Sequence, residues 1–442
     1  MTMTSTLDKM ELNEARWLGL LKNLIGESKH LQNSPSQGLI PQEDLAVKHL
    51  MDILRPFSTE NGGVLEIEQV TFVEGRSNLI IKYPGTTDGV VSFVGSHLDV
   101  VPADPSGWDR DPFTLVQEGD MLYGRGTTDC LGHVALLTEF LVQLGESKPT
   151  LKQNVVVVFI ANEENGSFKG IGVDQLDKEG YMENLKGGPL FWIDSADSQP
   201  CVGTAGNITW KLKVTGKLFH SGLPHKGINS IEMAMDAVNE LQQRFYAAYP
   251  RHEKEVEYNF ATPSTFKPTQ IKCTPGSLNQ LPPETLVEGD IRLTPFYDIH
   301  KVKKTMEAFV AEINEDPSIL SNQGKHGSHS AYVLSDEDRK GKIELIWGGE
   351  GENGIACSLT SPGNKALHEA TKKVLGSAKP FAIGGSLPLV RELQDSGYDV
   401  QISGYGFSNR YHADNEAVSL SNMKDAFKIV RTTVRILEEA QE

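Results

Sequence analysis

The stretch that decides the fold is Val90-Val91-Ser92-Phe93-Val94-Gly95-Ser96, which leads directly into His97-Leu98-Asp99. An apolar, β-branched run of this length is typical of a strand that is buried inside a parallel sheet. Open α/β sheets place their binding sites beyond the carboxyl ends of such strands. His97 and Asp99 are therefore predicted to lie in a functional site.

Two later segments repeat the arrangement of a strand followed by acidic residues. Leu151–Ala161 is apolar throughout its second half and is followed, after Asn162, by Glu163 and Glu164. Pro189–Ile193 leads in the same way into Asp194. Adjacent carboxylates repel each other, so a buried acidic pair requires a cation or a shared proton. Three predicted strands thus end in groups that are suited to binding metal.

Two loops supply further polar groups. The glycine-rich segment Leu122–His133 presents Asp129 just before a helical pattern, and Tyr411–Glu416 places His412 ahead of the last predicted helix. Taken singly, each feature has a plainer explanation. Asp129 is then a helix N-cap, Glu163 and Glu164 form a solvated acidic loop, and His412 is a surface residue.

Composition restricts the class of protein. The 442 residues suggest roughly two to four domains, and 38% hydrophobic with 23% charged residues is typical of a globular chain. The net charge of −17 disfavours nucleic acid and anionic membranes as partners and favours a small molecule or a cation. No apolar run approaches the ~20 residues that span a bilayer.

The N-terminus and the cysteines indicate a compartment. The opening MTMTSTLDKM is rich in hydroxyl groups, but acidic residues follow early and no apolar signal core appears, so we expect a cytoplasmic protein. Four cysteines without a C-x-x-C pair are expected to be reduced thiols, with Cys130 a small packed one.

The segment between the predicted site strands has the order of a separate domain. Its predicted elements are strand Ile208–Thr215, helix Asn229–Phe245, strands Thr265–Cys273 and Thr285–Leu293, helix Ile299–Ile313 and strand Lys342–Ile346. This βαββαβ order is the ferredoxin-like plan. From Pro362 the chain returns to the first domain with predicted helices Asn364–Leu375 and Leu387–Asp395.

The predicted fold class is therefore α/β, with two parts. Residues 1–205 and 355–442 form a metal-binding catalytic domain around a mixed, mainly parallel sheet. Residues 206–354 form an inserted ferredoxin-like α+β domain. Glycine-rich turns at both junctions are typical of the hinges of an inserted domain, and favour a lid.

The site residues form a mixed nitrogen and oxygen ligand set. The five candidate metal ligands are His97, Asp129, Glu164, Asp194 and His412. Such a set suits two divalent transition metals, with Zn²⁺ the first choice and Co²⁺ or Mn²⁺ as alternatives. Asp99 is expected to orient His97, and Glu163 stays free to carry a proton. This division of labour predicts hydrolysis of a carbonyl compound.

Seven motifs carry a family resemblance, and they span the chain from His97 to Glu416. They are HLDVV from His97, GRGTTDCLGH from Gly124, ANEENGS from Ala161, GKLFHSGLPHKGINSIE from Gly216, Asn279–Pro282, Asp290-Ile291-Arg292 and YHADNE from Tyr411. In this order they resemble the dinuclear-zinc metallopeptidase family of aminoacylase, carboxypeptidase G, succinyl-diaminopimelate desuccinylase and acetylornithine deacetylase. The strings WIDSADSQPCVGT and GYGFSNRYHADNE are most similar to acetylornithine deacetylases of plants and other eukaryotes.

The resemblance implies a role for each metal-site residue. Asp129 would bridge two metals, one held also by His97 and Asp194 and the other by Glu164 and His412. Glu163 would be the general base, Asp99 its helper, and the Asp129–Cys130 peptide bond would be cis. The family commonly has Glu-Pro where this chain has Asp194-Ser195, so Asp197 is a competing fourth acidic ligand.

The resemblance also implies a substrate and an assembly. His220 would polarise the substrate carbonyl from a partner subunit, which implies a homodimer built on the inserted domain. The substrate carboxylate would be held by Asn279, Arg292, Gly384, Gly385 and Ser386. The implied reaction removes acetate from N2-acetyl-L-ornithine in arginine biosynthesis. Two alternatives stay open: a dipeptidase or general N-acyl-amino-acid hydrolase on the same scaffold, and a non-catalytic binding dimer, which the intact acidic pair disfavours.

Overall fold

The chain is described from a computed structural model that covers residues 6–166, 168–320 and 330–440. The hydroxyl-rich residues 1–5 lie outside this range. The α-helices in it are α1 Glu14–Glu27, α2 Asp44–Leu54, α3 Leu131–Ser147, α4 Val173–Lys178, α5 Ser230–Ala248, α6 Lys254–Glu257, α7 Ile299–Glu315, α8 Pro362–Leu375, α9 Val390–Asp395 and α10 Leu420–Glu439.

Strands occur along the whole described chain. They are β1 Glu66–Val73, β2 Arg76–Tyr83, β3 Val90–Val94, β4 Val116–Glu118, β5 Met121–Tyr123, β6 Asn154–Phe159, β7 Pro189–Ile193, β8 Cys201–Thr204, β9 Gly206–Thr215, β10 Phe219–His220, β11 Thr265–Cys273, β12 Gln280–Leu281, β13 Glu284–Leu293, β14 Val333–Leu334, β15 Arg339–Lys340, β16 Lys342–Trp347, β17 Phe381–Ile383, β18 Asp399–Ser403 and β19 Ala417–Ser419.

The first compact unit runs to Val202 and also contains Cys357–Phe381 and the chain from Pro388 onward. Its main sheet has the strand order β1-β2-β6-β3-β7-β18-β8-β17. The central pairs β6–β3, β3–β7 and β7–β18 are parallel, whereas β1–β2 and β2–β6 are antiparallel. The prediction of a mixed α/β sheet is therefore confirmed.

The centre of this sheet explains why a site forms at its edge. Every residue of β3 is buried, as the uninterrupted apolar run predicts for a strand covered on both faces. Since β3 lies between β6 and β7, the three parallel strands deliver the residues that follow them to one edge. These residues are His97, the Glu163–Glu164 pair and Asp194.

Helices cover the sheet and complete the core. α3 is buried along most of its length, and its Phe140 makes edge-to-face contacts with Phe93 of β3 and Phe427 of α10. α1 begins after Asn13, whose side chain accepts a hydrogen bond from the Arg16 amide, and it buries the face that contains Trp17. α3 is the helical pattern that the sequence predicts after Asp129, and α10 is the last predicted helix.

The second unit comprises Gly203–Ala356 and the separate stretch Ala382–Leu387, whereas the predicted inserted domain spans residues 206–354. Its antiparallel sheet has the order β11-β13-β9-β16, and α5 and α7 pack against it. Trp210 stacks on Phe266 with ring centres 4.3 Å apart in its core. The four strands of this sheet and the helices α5 and α7 follow the predicted βαββαβ order, with the short elements β10, α6, β12, β14 and β15 between them.

No helix among the described residues is both long and apolar enough to cross a membrane.

Candidate metal centre

His97 follows β3 after a turn at Gly95. Gly95 has a φ of 92°, and a Cβ there would lie 2.6 Å from the Trp192 ring, so the turn requires glycine. The buried His97 ring places Nδ1 2.8 Å from the main-chain oxygen of Asp99. A proton on Nδ1 donates to that oxygen and directs Nε2, 2.9 Å from Asp129 Oδ1, into the carboxylate cluster. This is the orientation that a metal ligand needs.

Asp129 lies at the centre of the cluster. Its Oδ1 contacts His97, and its Oδ2 lies 3.1 Å from His412 Nε2. Burial would raise the pKa of Asp129, but the hydrogen bonds from His412 and His97 hold it below its usual value. The Asp129–Cys130 peptide bond is cis, as the family resemblance implied. Asp129 thus offers one carboxylate oxygen to each side of the cluster.

The acidic pair is held through its main chain by Asp99. The Asp99 carboxylate accepts hydrogen bonds from the amides of Glu163 and Glu164, both at 3.1 Å, and from Asn33 Nδ2 at 2.8 Å. Its Oδ1 lies 3.5 Å from His97 Nδ1, farther than the main-chain oxygen of the same residue. Asp99 therefore positions the acidic pair with its carboxylate and the imidazole mainly with its carbonyl.

The two members of the pair have different surroundings. Burial, and then the Asp194 carboxylate, raise the pKa of Glu163 well above its usual value. Burial, and then Asp129, raise the pKa of Glu164 to about 7, although His412 Nε2 lies 3.2 Å from its Oε2. Hydrogen bonds to Asp129 and Glu164 raise the pKa of His412 itself to about 11.

Asp194 and Asp197 are separated clearly by the structure. Asp194 is buried, and its Oδ1 lies 3.7 Å from His97 Nε2. Asp197 is exposed, has a φ of 65°, and accepts a hydrogen bond from the Ser408 amide. Only Asp194 of these two joins the cluster.

The candidate ligands fall into two groups that share Asp129. One group holds His97, Asp129 and Asp194 together with Cys130, and the other holds Asp129, Glu164 and His412. Within each group the potential ligand atoms lie within 4.8 Å of one another. This is the pairing of ligands that the resemblance implied.

The donor set fits divalent cations. Four buried carboxylates, those of Asp129, Glu163, Glu164 and Asp194, converge with the buried imidazole of His97 and the partly exposed imidazole of His412, which leaves an excess of negative charge. Buried charges require a partner. In addition, Glu164 Oε1 is buried and has no hydrogen-bond partner among the described residues. An unused carboxylate oxygen beside His412 is what a cation would coordinate.

Cys130 sits beside the first group as a thiol. Burial lowers the pKa of His133 to about 4, so its ring is neutral. Its Nε2 accepts from the Tyr405 amide at 2.9 Å, and its Nδ1 then donates to Cys130 Sγ at 3.0 Å. Burial also raises the pKa of the Cys130 thiol well above its usual value. A protonated thiol is a poor ligand, so Cys130 packs here as the sequence predicts.

The remaining predicted residues lie in the second unit. His220 of β10 is exposed and pairs with Gln280 of β12, and the adjacent Ser221 amide donates to the Asn279 oxygen. Arg292 of β13 donates from Nε to Asp290 at 2.8 Å. Gly384, Gly385 and Ser386 follow β17, and the Gly385 oxygen accepts from the Ala205 amide.

Two residues of the centre were not assigned a role from sequence. Asn33 precedes all seven motifs, and its Nδ2 donates to both Asp99 and Asn162 Oδ1. Glu416 ends the motif YHADNE, and its buried carboxylate accepts hydrogen bonds from the segment around Asp129. The only available signal was the position of Glu416 inside a motif, since partners 66 and 287 residues apart leave no periodic pattern.

With the geometry established, comparison with known proteins decides the family. The sequence profile of peptidase family M20/M25/M40 matches residues 93–436. The chain belongs to this family. The matched residues include every candidate ligand of the M20 centre described above.

Two curated relatives are similar to the chain over nearly its full length, and one solved structure has a similar fold. It is 52% identical over 430 residues to acetylornithine deacetylase of Arabidopsis thaliana, covering 97% of each protein. It is 49% identical over 447 residues to acetylornithine deacetylase of Dictyostelium discoideum, covering 99% of this chain and 100% of that protein. The crystal structure of human carnosine dipeptidase 1 has the same fold, with a TM-score of 0.67, 19% identity and coverage of 100% and 98%.

Proposed function

We propose that this protein is a metal-dependent amide hydrolase that removes the acetyl group from N2-acetyl-L-ornithine, giving L-ornithine and acetate for arginine biosynthesis. The chemistry is supported by the acidic pair, whose side chains are both buried, beside two ligand groups that share Asp129. The substrate is supported by the near-full-length similarity to acetylornithine deacetylases.

Two divalent cations are part of the proposal, and Zn²⁺ is the first choice, with Co²⁺ or Mn²⁺ as alternatives. His97 and Asp194 would hold one, Glu164 and His412 the other, and Asp129 both. When bound, such cations supply Lewis acidity, which polarises an amide carbonyl and makes water a stronger acid.

Glu163 is the general base of the proposed reaction. It belongs to neither ligand group, and its Oε2 lies 3.9 Å from His97 Nε2. Its carboxylate takes a proton from the attacking water and passes it to the departing amine, so that acetate and a free amino group result. A pKa that burial and Asp194 raise above the usual value makes Glu163 a stronger base than an exposed glutamate.

The second unit supplies substrate recognition in this proposal. Arg292 presents a guanidinium fork that suits the α-carboxylate of an N-acyl amino acid, and Asn279 and Gly384–Ser386 complete its binding. His220 acts on the substrate carbonyl from the partner of a homodimer formed through residues 206–354. A cytoplasmic location remains part of the same proposal.

A substrate panel tests the proposal and separates it from its rivals. Zinc-loaded protein is assayed on N2-acetyl-L-ornithine, N-acetyl-L-methionine and a dipeptide under identical conditions. We expect kcat/KM to be highest for N2-acetyl-L-ornithine. Preference for acetylmethionine would establish a general N-acyl-amino-acid hydrolase, and preference for the dipeptide would establish a dipeptidase. Turnover of none of the three would favour a binding protein.

A further inference from the structure

The Glu416 carboxylate makes an unusually complete set of contacts with the segment that presents Asp129. Its Oε2 accepts from Arg125 Nη1 at 2.7 Å and from the Gly126 amide at 3.0 Å. Its Oε1 accepts from the amides of Thr128 and Asp129 at 2.7 and 2.9 Å. Glu416 is fully buried. One side chain therefore fixes the main chain on the amino side of the central carboxylate.

The same residue ends the loop that carries His412. The short ladder between β5 and β19 pairs Tyr123 with Ala417, and the Gly124 amide donates to the Glu416 oxygen at 3.1 Å. Beyond this ladder one chain leads to Asp129 and the other leads back to His412, and the two side chains lie 3.1 Å apart. Glu416 thus lies between the ladder and the two candidate ligands, in contact with the segment that carries Asp129.

The His412 loop needs such an anchor. His412 and Asn415 have φ values of 53° and 57°, in the left-handed region that non-glycine residues rarely adopt. The His412 side chain is 54% exposed, so packing holds it only in part. Backbone in this region persists when surrounding contacts impose it.

Arg125 extends the contact to a third segment. Besides pairing with Glu416, its Nη2 lies 3.4 Å from the Pro102 oxygen, and its guanidinium lies over the Trp108 ring at 5.2 Å. Pro102 follows the segment that contains His97 and Asp99. The Arg125–Glu416 pair therefore links three of the segments that build the centre.

We propose that Glu416, together with Arg125, is a positioning residue that holds Asp129 and His412 at the spacing required for metal binding. The inference rests on the metal-binding part of the proposed function. Partners that orient metal ligands typically contribute 10–100-fold to metal affinity. Glu416 touches no ligand atom, so its effect would pass through the main chain of Asp129 and the loop of His412.

The chain provides a matched control for Glu416. Glu438 of α10 is also buried, and its carboxylate accepts hydrogen bonds from the amides of Lys152 and Gln153 at 2.7 and 2.8 Å. These amides precede the amino end of β6, whereas the acidic pair follows the carboxyl end of that strand. Glu438→Gln therefore removes the same kind of buried carboxylate–amide contact from a segment that carries no candidate ligand.

The test measures the Kd for zinc of full-length wild-type protein, Glu416→Gln and Glu438→Gln by competition with a chelator of known affinity, alongside the thermal midpoint of each metal-free protein. We expect Glu416→Gln to raise the zinc Kd about 10–100-fold and Glu438→Gln to leave it within about twofold, with similar losses in thermal midpoint. An unchanged Kd for Glu416→Gln, or an equal rise for both variants, would overturn the inference.

Milder variants keep the test decisive if Glu416→Gln does not fold. Glu416→Asp is too short to reach all four donors, and Arg125→Lys loses the planar fork while keeping the charge. For each of these variants, a zinc Kd that rises no more than that of Glu438→Gln would overturn the inference. Failure of the metal-binding part of the proposed function would give a different result, because wild-type protein itself would then bind no zinc. That result would overturn the inference as well.

Discussion

Glu163 and Glu164 are adjacent in sequence, yet they face different partners. Glu164 lies against His412 and Asp129, whereas Glu163 stands beside both ligand groups without joining either. Asn162, which precedes the pair, has a φ of 60°, and the amides of both glutamates donate to Asp99, so the main chain of the pair is fixed. One acid can therefore bind metal while its neighbour remains available to carry a proton.

Replacing Glu163 by Gln tests this assignment. Glutamine keeps the size of the side chain but cannot take a proton, so we expect kcat on N2-acetyl-L-ornithine to fall about 10²–10⁴-fold. Zinc content should stay unchanged, since Glu163 is in neither ligand group. The exposed Glu68→Gln is the control and should behave as wild type. Near-normal turnover of Glu163→Gln with full zinc content would show that another group is the base.

Sequence reasoning reached the ligands because they follow recognisable elements. His97, Glu164 and Asp194 come directly after apolar strands, and parallel strands align their carboxyl ends. The residues that hold these ligands in place could not be predicted in this way. Asn33 and Glu416 act through contacts 66 and 287 residues away along the chain, to Asp99 and the Asp129 amide. Nothing in local composition identifies such partners.

At the scale of elements, three aromatic residues join the site-bearing strand to its covering helices. Phe140 of α3 contacts Phe93 of β3 at 6.4 Å and Phe427 of α10 at 6.0 Å between ring centres. All three are buried. The apolar periodicity of α3 and α10 and the apolar run of β3 made these elements predictable.

Truncation of Phe140 should therefore destabilise the first unit. We expect Phe140→Ala to lower the free energy of unfolding by about 3–5 kcal/mol through lost burial and the cavity left behind. Denaturant unfolding of metal-free protein measures the change. Ile40→Ala, at a side chain that is 63% exposed, should change it by less than about 0.5 kcal/mol. Equal effects of the two substitutions would contradict this packing account.

One helix boundary shows where periodicity fails. The sequence predicts a helix from Leu387 to Asp395, but α9 begins at Val390. A residue before proline is disfavoured in the helical region, so Pro388 keeps Leu387 out of the helix. Leu389 then has a φ of 71°, which no apolar pattern could predict.

At the scale of the whole molecule, the order of the domains was predictable. The βαββαβ pattern begins after the strands that are followed by candidate ligands, and it ends before the chain returns to the first domain. The exact boundaries of the domains were harder to predict. The stretch Ala382–Leu387, which contains Gly384, Gly385 and Ser386, packs with the second unit although the chain has already returned to the first unit. β17 has only three residues, which is too few to show a periodic pattern, and it pairs with β8, a strand far from it in the sequence.

The charge of the metal centre should make stability depend on pH. Burial is the main cause that raises the pKa of Glu164 to about 7, and it does the same for Glu43, a buried residue outside both ligand groups that pairs with Arg76. The stability that both contribute below their unfolded pKa values is lost as pH rises through 7. His412, raised to about 11 by its hydrogen bonds to Asp129 and Glu164, continues the loss above its unfolded value of 6.5.

We therefore expect the thermal midpoint of metal-free protein to fall from about pH 5 to about pH 9. Zinc should raise the midpoint more at the higher pH, since its ligands must be deprotonated. Calorimetry across this range measures both effects. His412→Gln should flatten the decline above about pH 7, and the exposed His300→Gln should not. A midpoint that rises with pH in metal-free protein would contradict the assignment.

We propose that this chain hydrolyses an acetyl amide with two metal ions held by His97, Asp129, Glu164, Asp194 and His412. The most direct test of this proposal is a titration of chelator-treated protein with zinc, in which acetate release from N2-acetyl-L-ornithine is followed at each step. We expect no turnover without metal and a maximal rate once two zinc ions are bound per chain. Full activity in the chelator-treated protein would contradict the proposal.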